Sequence, residues 1–354
     1  MVDNVSKRML IKNGKLKMYC GDDADIVIPS SVTSIDSEAF RNCSSLTSVT
    51  IPNTVTSIGS YAFKGCSGLK NVTIPNSVTN IDDFAFYNCE NLEAVVIPDS
   101  VINIGDSAFR DCSSLVGVTI GGGVTSIGSC AFCGCSSLTS VIIPDYVDSI
   151  GCCAFYGCSS LVGITIPDGV TSIGYSAFND CDKLQYEEYG NAKYLGNHLI
   201  KAANEDITTV DIRQDTKTIA DEAFICCKNL KTITIPDSVL SIGDGAFEFC
   251  DRLKNIIIPD GVISMGKNAF DGCSELTTIV VPDSLTSIGS GAFRDCDSLT
   301  SINIPDSVTS IGDYAFFGCS NLTIYAEADE EPQDWDDGWN PDNRPVVWGY
   351  KKEN

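Results

Sequence analysis

A chain of 354 residues, 43% hydrophobic and 20% charged, is too apolar to be disordered and long enough for two or three ordinary domains. Its formal charge of −24 repels nucleic acid and anionic membrane surfaces, and favours cationic partners or divalent ions. No apolar run reaches the roughly 18 residues of a helical span, so no transmembrane segment is expected.

Residues Met1 to Tyr19 carry basic side chains with no continuous apolar run behind them, and do not read as a signal peptide. An extracellular or cell-surface location therefore requires a leader outside this sequence; a cytoplasmic location is the alternative. Residues 1–27 are expected to cap the N-terminal end, with Met9, Leu10, Ile11, Leu16, Met18 and Tyr19 as apolar cover.

From 28 to 183 one unit recurs. Proline follows an aliphatic residue at Pro29, Pro52, Pro75, Pro98, Pro144 and Pro167, in steps of 23 residues or multiples of 23, and Gly121 fills the missing slot. Each Ala-Phe pair, such as Ala62-Phe63, is followed by a cysteine three places on (Cys66) and a leucine three further (Leu69). Val49 and Ile51 alternate with Ser48 and Thr50, the period of a strand with one face buried. Pro52 lacks an amide hydrogen and suits the end of that strand. Val55 and Ile58 face inward on the return path, Gly59 permits a bend, and a short helical turn is expected to carry Ala62 and Phe63 inside. The cysteine is small enough for full burial. One such coil cannot cover its own apolar side, so coils must stack at about 4.8 Å and cover one another. About 13 coils of 23 residues predict a repeat solenoid with short parallel strands, a right-handed curved rod roughly 60 Å long.

Outward strand positions form a row expected on the concave face: Thr50, Thr73, Val96, Thr119, Ile142 and Thr165, then Asp211, Thr234, Ile257, Val280 and Asn303. Val96, Ile142, Ile257 and Val280 are apolar residues aimed at water and are the partner-binding candidates. The alternative is that β-branched residues merely suit strands. A second row follows the strand-ending proline: Asp99, Asp145, Asp168, Asp237, Asp260, Asp283 and Asp306. These carboxylates either accept turn hydrogen bonds or, as neighbours about 5 Å apart, bind calcium weakly.

Between 184 and 209 the pattern breaks: Gly190 stands where a proline is due and Lys201 where a phenylalanine is due. The aromatic stretch with Tyr186, Tyr189 and Tyr194 is expected to form an irregular coil or small hairpin. Its tyrosines either repack the core or offer an exposed platform. His198, the sole histidine, has no nucleophile or carboxylate at a telling spacing and reads as a surface or locally hydrogen-bonded residue. The repeat resumes from 210 to 324. Residues 325–354 hold all three tryptophans, Trp335, Trp339 and Trp348, expected to cap the last core face, with a carbohydrate- or peptide-binding patch as the alternative.

No catalytic or cofactor-binding set emerges. Gly121-Gly122-Gly123 lacks the lysine and following helix of a phosphate loop. Twelve of the 18 cysteines belong to the repeat; the others are Cys20, Cys130, Cys133, Cys152, Cys153 and Cys226. Cys130 and Cys153 lie one period apart and are the candidate disulfide in an oxidising compartment. The Cys130-Ala-Phe-Cys133 run has metal-like spacing, but Cys135 beside it is a core residue and no second such pair follows.

The unit Ile-Pro-Asp-Ser-Val-Thr-Ser-Ile-Gly followed by Ala-Phe-x-x-Cys-x-x-Leu, as in Ile304 to Leu322, resembles the BspA-type leucine-rich repeats, also called the Treponema pallidum type. The resemblance runs from about Asp25 to Leu322 and departs from the pattern at Tyr186 to Ile200. It implies a surface or secreted protein of a host-associated microbe, with adhesion to host matrix proteins or other microbes as the common role. It supplies no catalytic residues and leaves the ligand, protein or glycan, open. Two function classes follow: a non-enzymatic adhesion module, or a structural spacer that displays other domains.

Overall fold

The computed structural model describes residues 8–351. The first seven residues of the expected N-terminal cap and the last three of the C-terminal one lie outside the described residues. The chain is a parallel β-solenoid of about 14 turns with about 23 residues per turn. Its contacts divide it into two units, one running to Val170 with Ser176–Gln185 added, the other comprising Thr171–Tyr175 and Tyr186 onward.

In the first unit, strands Asp25–Val27, Ser48–Thr50, Asn71–Thr73, Ala94–Ile97, Gly117–Ile120, Ser140–Ile142 and Gly163–Thr165 form one sheet, each paired with the strand 23 residues on. The pairing is in register, Val49 against Val72 and Thr50 against Thr73. The alternation predicted from sequence appears directly: Val49 is buried between exposed or half-buried neighbours. Two-residue strands on the return path, Ser57–Ile58 and Asn80–Ile81 among them, make a second parallel ladder. The second unit repeats the plan, for example Asn255–Ile257 beside Thr278–Val280 and Ser264–Met265 beside Ser287–Ile288.

The phenylalanine flank differs from expectation. No α-helix occurs among the described residues. The flank is a chain of tight turns with a left-handed residue two places either side of each phenylalanine, such as Tyr61 (φ 60°) and Gly65 (φ 71°) around Phe63. A helix would spend its amides on itself. Here alternate amides close local turns (Ala62 to Gly59, Lys64 to Tyr61) while the others donate to the next coil: Tyr61 to Asp83 at 3.1 Å, Phe63 to Ala85 at 2.7 Å and Gly65 to Tyr87 at 2.8 Å. The third side of the coil is thus hydrogen-bonded between neighbours as the strands are. A left-handed non-glycine residue costs about 1 kcal/mol or more, which inter-coil bonding and ring stacking offset. Phe40 and Phe63 stack at 4.9 Å with planes 5° apart, and the series continues to Phe155–Phe178 at 5.7 Å.

The repeat cysteine also does more than fit. Cys66 Sγ donates to the Phe40 carbonyl of the preceding coil at 3.0 Å, and Cys89, Cys112 and Cys135 do the same to Phe63, Phe86 and Phe109. Each of these carbonyls already accepts the amide three residues on, Cys43 N–H for Phe40 and Cys66 N–H for Phe63, and the thiol of the next coil gives it a second donor no larger than the space allows. Burial pushes the Cys112 thiol up to about 12.

Both ends are closed within their own units. Met9–Lys12 and Lys15–Tyr19 form an antiparallel hairpin whose second strand joins the ladder, Leu16 beside Ile35, with the Tyr19 ring 5.4 Å from Phe40. At the other end Trp335 and Trp339 are buried, Trp339 packs edge-on to Phe316, and Trp335 Nε1 donates to the Val308 carbonyl. Carboxylates in that segment accept amides the last coils would leave exposed: Asp336 from Asp313, and Asp342 from Gly318, whose N–H holds the Asp342 carboxyl below its usual range. The acidity of this segment therefore has a local purpose.

Candidate functional site

The strand side chains that face outward are the ones free to act. Val96 is 60% exposed, Ile142 71%, Ile257 67% and Val280 42%, each with a buried residue on either side of it in the chain. Val96 and Ile142 stand two coils apart with Thr119 between them, whereas Ile257 and Val280 are direct partners in the register. Val27, 64% exposed and paired with Thr50, belongs to the same row. Val27 falls within the residues expected to cap the N-terminal end, and its spacing of 23 from Thr50 is the signal that places it in the row instead.

Exposed apolar residues concentrate in part of the first unit. Val116 and Val162 lie at the strand entry, Ile102 on the return path, and Tyr146, 76% exposed, just past Pro144. A notch of about 550 Å³ opens beside the strand row, lined by Thr119, Gly122, Ile142, Asp145 and Tyr146 among others. Gly122, the middle of the glycine run, lines it without a side chain. A Cβ at Gly121 would meet the Pro98 carbonyl carbon at 2.4 Å, and one at Gly123 the Asp99 carbonyl oxygen at 2.0 Å, so only glycine allows this turn to lie so close to the preceding one. A Cβ at Gly122 would meet nothing nearer than Asp99 Oδ1 at 3.8 Å. Nothing in the sequence pattern marks Tyr146 apart from its place two residues after Pro144, where the other proline-bearing coils carry Ser, Thr or Gly.

The aspartate row after the prolines, Asp99, Asp145, Asp168, Asp237, Asp260, Asp283 and Asp306, is exposed. Asp99 accepts the Gly122 N–H at 2.8 Å, bonding across coils instead of within its own turn. A different carboxylate row does this repeatedly: Asp83 accepts from the Asp106 amide, Asp106 from Ser129, Asp221 from Asp244 and Asp244 from Lys267. Among the described residues no three His, Cys, Asp or Glu side chains are grouped to hold a metal ion.

Cys130 and Cys153 occupy the same left-handed position on neighbouring coils, φ 56° and 54°, both half-buried free thiols. His198 is fully buried in the strand His198–Ala202, not on the surface, because that strand pairs with Leu195 on one side and Thr218 on the other. The irregular segment is an antiparallel meander of Glu187–Tyr189, Ala192–Leu195 and His198–Ala202. Its tyrosines divide: Tyr194 is fully buried under the Arg213 guanidinium, Tyr186 lies under Lys201, and Tyr189 is 47% exposed with its hydroxyl on Asp211.

A parallel solenoid with a leucine-bearing unit of about 23 residues and a short outward-facing strand in each turn defines a leucine-rich-repeat protein. The family model described as "BspA type Leucine rich repeat region (6 copies)" matches residues 16–139, 125–202 and 202–323, and the chain belongs to that family. Among solved structures it is similar to a leucine-rich repeat protein from Bacteroides ovatus, at 27% identity over 92% of this chain and 83% of that one, with a TM-score of 0.47. It is also similar to a leucine rich cell surface protein from Faecalibacterium prausnitzii, at 31% identity over 90% of each chain, TM-score 0.40. A T. pallidum leucine-rich repeat protein matches at 22% identity over 74% of this chain and 82% of that one, TM-score 0.31. No curated protein matches the chain.

Proposed function

We propose that the protein recognises another macromolecule through the outward-facing strand residues of its units, as a non-enzymatic adhesion module at a cell surface or outside the cell. The carrying observation is that Val96, Ile142, Ile257 and Val280 leave large apolar surface in water at register positions where threonine serves equally well elsewhere in the repeat. Apolar area costs solubility when exposed and contributes binding free energy when covered, about 25 cal/mol per Å². Membership of the BspA-type family supports the location.

The test is a binding screen of the folded protein against an array of extracellular-matrix proteins and glycans, repeated with Ile142→Lys/Ile257→Lys. A ligand bound by the wild type and lost by the double variant, with melting unchanged, is the expected result. An array with no ligand points instead to a structural spacer.

A further inference from the structure

We propose that the notch beside Ile142 and Tyr146 binds a basic, extended peptide segment of a partner protein. One Lys or Arg side chain lies with its methylene stem along Ile142 and the Tyr146 ring, and its charge at Asp145. This deepens the recognition reading above and rests on it.

The first argument is a broken row. Two places after the strand-ending residue five coils carry a small hydroxyl that donates to a carbonyl of the preceding coil: Thr54 to Val32, Ser77 to Val55 and Ser100 to Val78 at 2.6 Å each, Ser238 to Thr216 at 2.8 Å and Ser284 to Val262 at 2.7 Å. The three coils after that of Ser100 carry Gly123, Tyr146 and Gly169 at that slot. A phenol ring thus stands between two glycines, in a slot where stacking asks only for a small residue. Tyr146 and Ile142 are the two most exposed large apolar side chains among the described residues, and both line the same notch.

The second argument is charge. Between residues 71 and 182 the chain has twelve Asp and Glu and a single basic residue, Arg110. Asp145 lines the notch, and Asp99 adjoins it through its bond to Gly122. An aliphatic and aromatic floor with a carboxylate rim complements a cation on an apolar stem, which buries its methylenes and stacks its head on the ring. An anionic glycan or nucleic acid is repelled by the same field, and a neutral glycan leaves it unused.

The probe is a fluorescein-labelled peptide of alternating arginine and isoleucine between Gly-Ser flanks, followed by fluorescence anisotropy. Its glutamate counterpart and maltohexaose serve as competitors. The basic peptide is expected to bind, more weakly as salt rises, with neither competitor displacing it. Tyr146→Gly is expected to weaken binding about tenfold and Asp145→Asn several-fold. Both variants should melt as the wild type does, because glycine already fills the Tyr146 slot in the coils on either side. Equal binding by wild type and Tyr146→Gly would reduce the effect to diffuse attraction and overturn the proposal. So would absence of peptide binding, or displacement by maltohexaose or the acidic peptide. If the array yields a ligand that depends on Ile142 while the basic peptide is ignored, strand-face recognition survives and this assignment of the notch falls.

Discussion

Two stretches of the first unit, Leu46 to Ile81 and Leu115 to Ile150, have the same interior and different exteriors. Phe63, Cys66 and Leu69 in one, and Phe132, Cys135 and Leu138 in the other, are all fully buried. Outside, the first stretch shows Thr50, Thr56, Thr73 and Thr79, the second Val116, Ile142 and Tyr146, 51% to 76% exposed. Stacking explains the sameness, because every inward side chain must fit the coil above and the coil below. It asks less of the outward positions, where Thr56 and Thr79 each add only a 3.3 Å hydrogen bond to the preceding coil. Apolar residues there contribute little to folding, and that is the physical ground for assigning them to a partner.

Removing cover from an interior tests the comparison most harshly. Truncation after Ile324 takes away Trp335 and Trp339 and bares the last core face. Loss of several kcal/mol of stability is expected, by the ~3–5 kcal/mol scale of a buried aromatic, together with aggregation. Unchanged solubility and melting would mean the interior does not need covering.

A smaller effect separates the interior from its polar edge. Burial pushes the Asp221 carboxyl up to about 6, although its oxygen accepts the Asp244 amide at 2.8 Å. A raised acid contributes stability that is full below its unfolded value and lost as pH rises through about 6. The wild type should therefore gain up to about 2 kcal/mol between pH 7 and pH 4 from this group. Asp221→Asn, which keeps the acceptor, should lack that gain and be the more stable of the two at pH 7. Denaturant unfolding at several pH values measures it.

The cysteine row gives the smallest expected change. Cys112→Ser and Cys112→Ala fill nearly the same volume, but only the serine keeps a donor for the Phe86 carbonyl, so the alanine variant is read against the serine one. A loss of about 1 kcal/mol is expected in denaturant unfolding, the net worth of one hydrogen bond. No loss would return the thiol to the role of simple filler.

Much of this was legible in the sequence, because a repeat reports each constraint many times over. The 23-residue period, the inward Val, Ile, Phe and Leu, and the outward exposure of Val96, Ile142, Ile257 and Val280 all follow from alternation and spacing. The phenylalanine flank did not. Its left-handed residues include Tyr61, Phe84 and Cys130, none of which signals that conformation by residue type, so the segment read as a helical turn. The cysteine's hydrogen bond was hidden for a similar reason: its acceptor lies 26 residues away, and the chemistry exists only once coils are stacked. The notch was half visible. Gly121–Gly123 stood out, but that Tyr146 and Ile142 flank the space beside it depends on turns approaching across coils.

Phe132 and Ile142 sit ten residues apart in one coil, one wholly inside and one aimed at water. Native-state hydrogen exchange on Phe132→Ala and Ile142→Lys sets the two faces of the molecule against each other directly. Phe132→Ala should lose protection in its own coil and its neighbours first, with about 3–5 kcal/mol of stability gone, while Ile142→Lys keeps wild-type protection within about 0.5 kcal/mol. Loss of protection in Ile142→Lys comparable to that in Phe132→Ala would contradict the division between a shared interior that folds and an exterior free to bind.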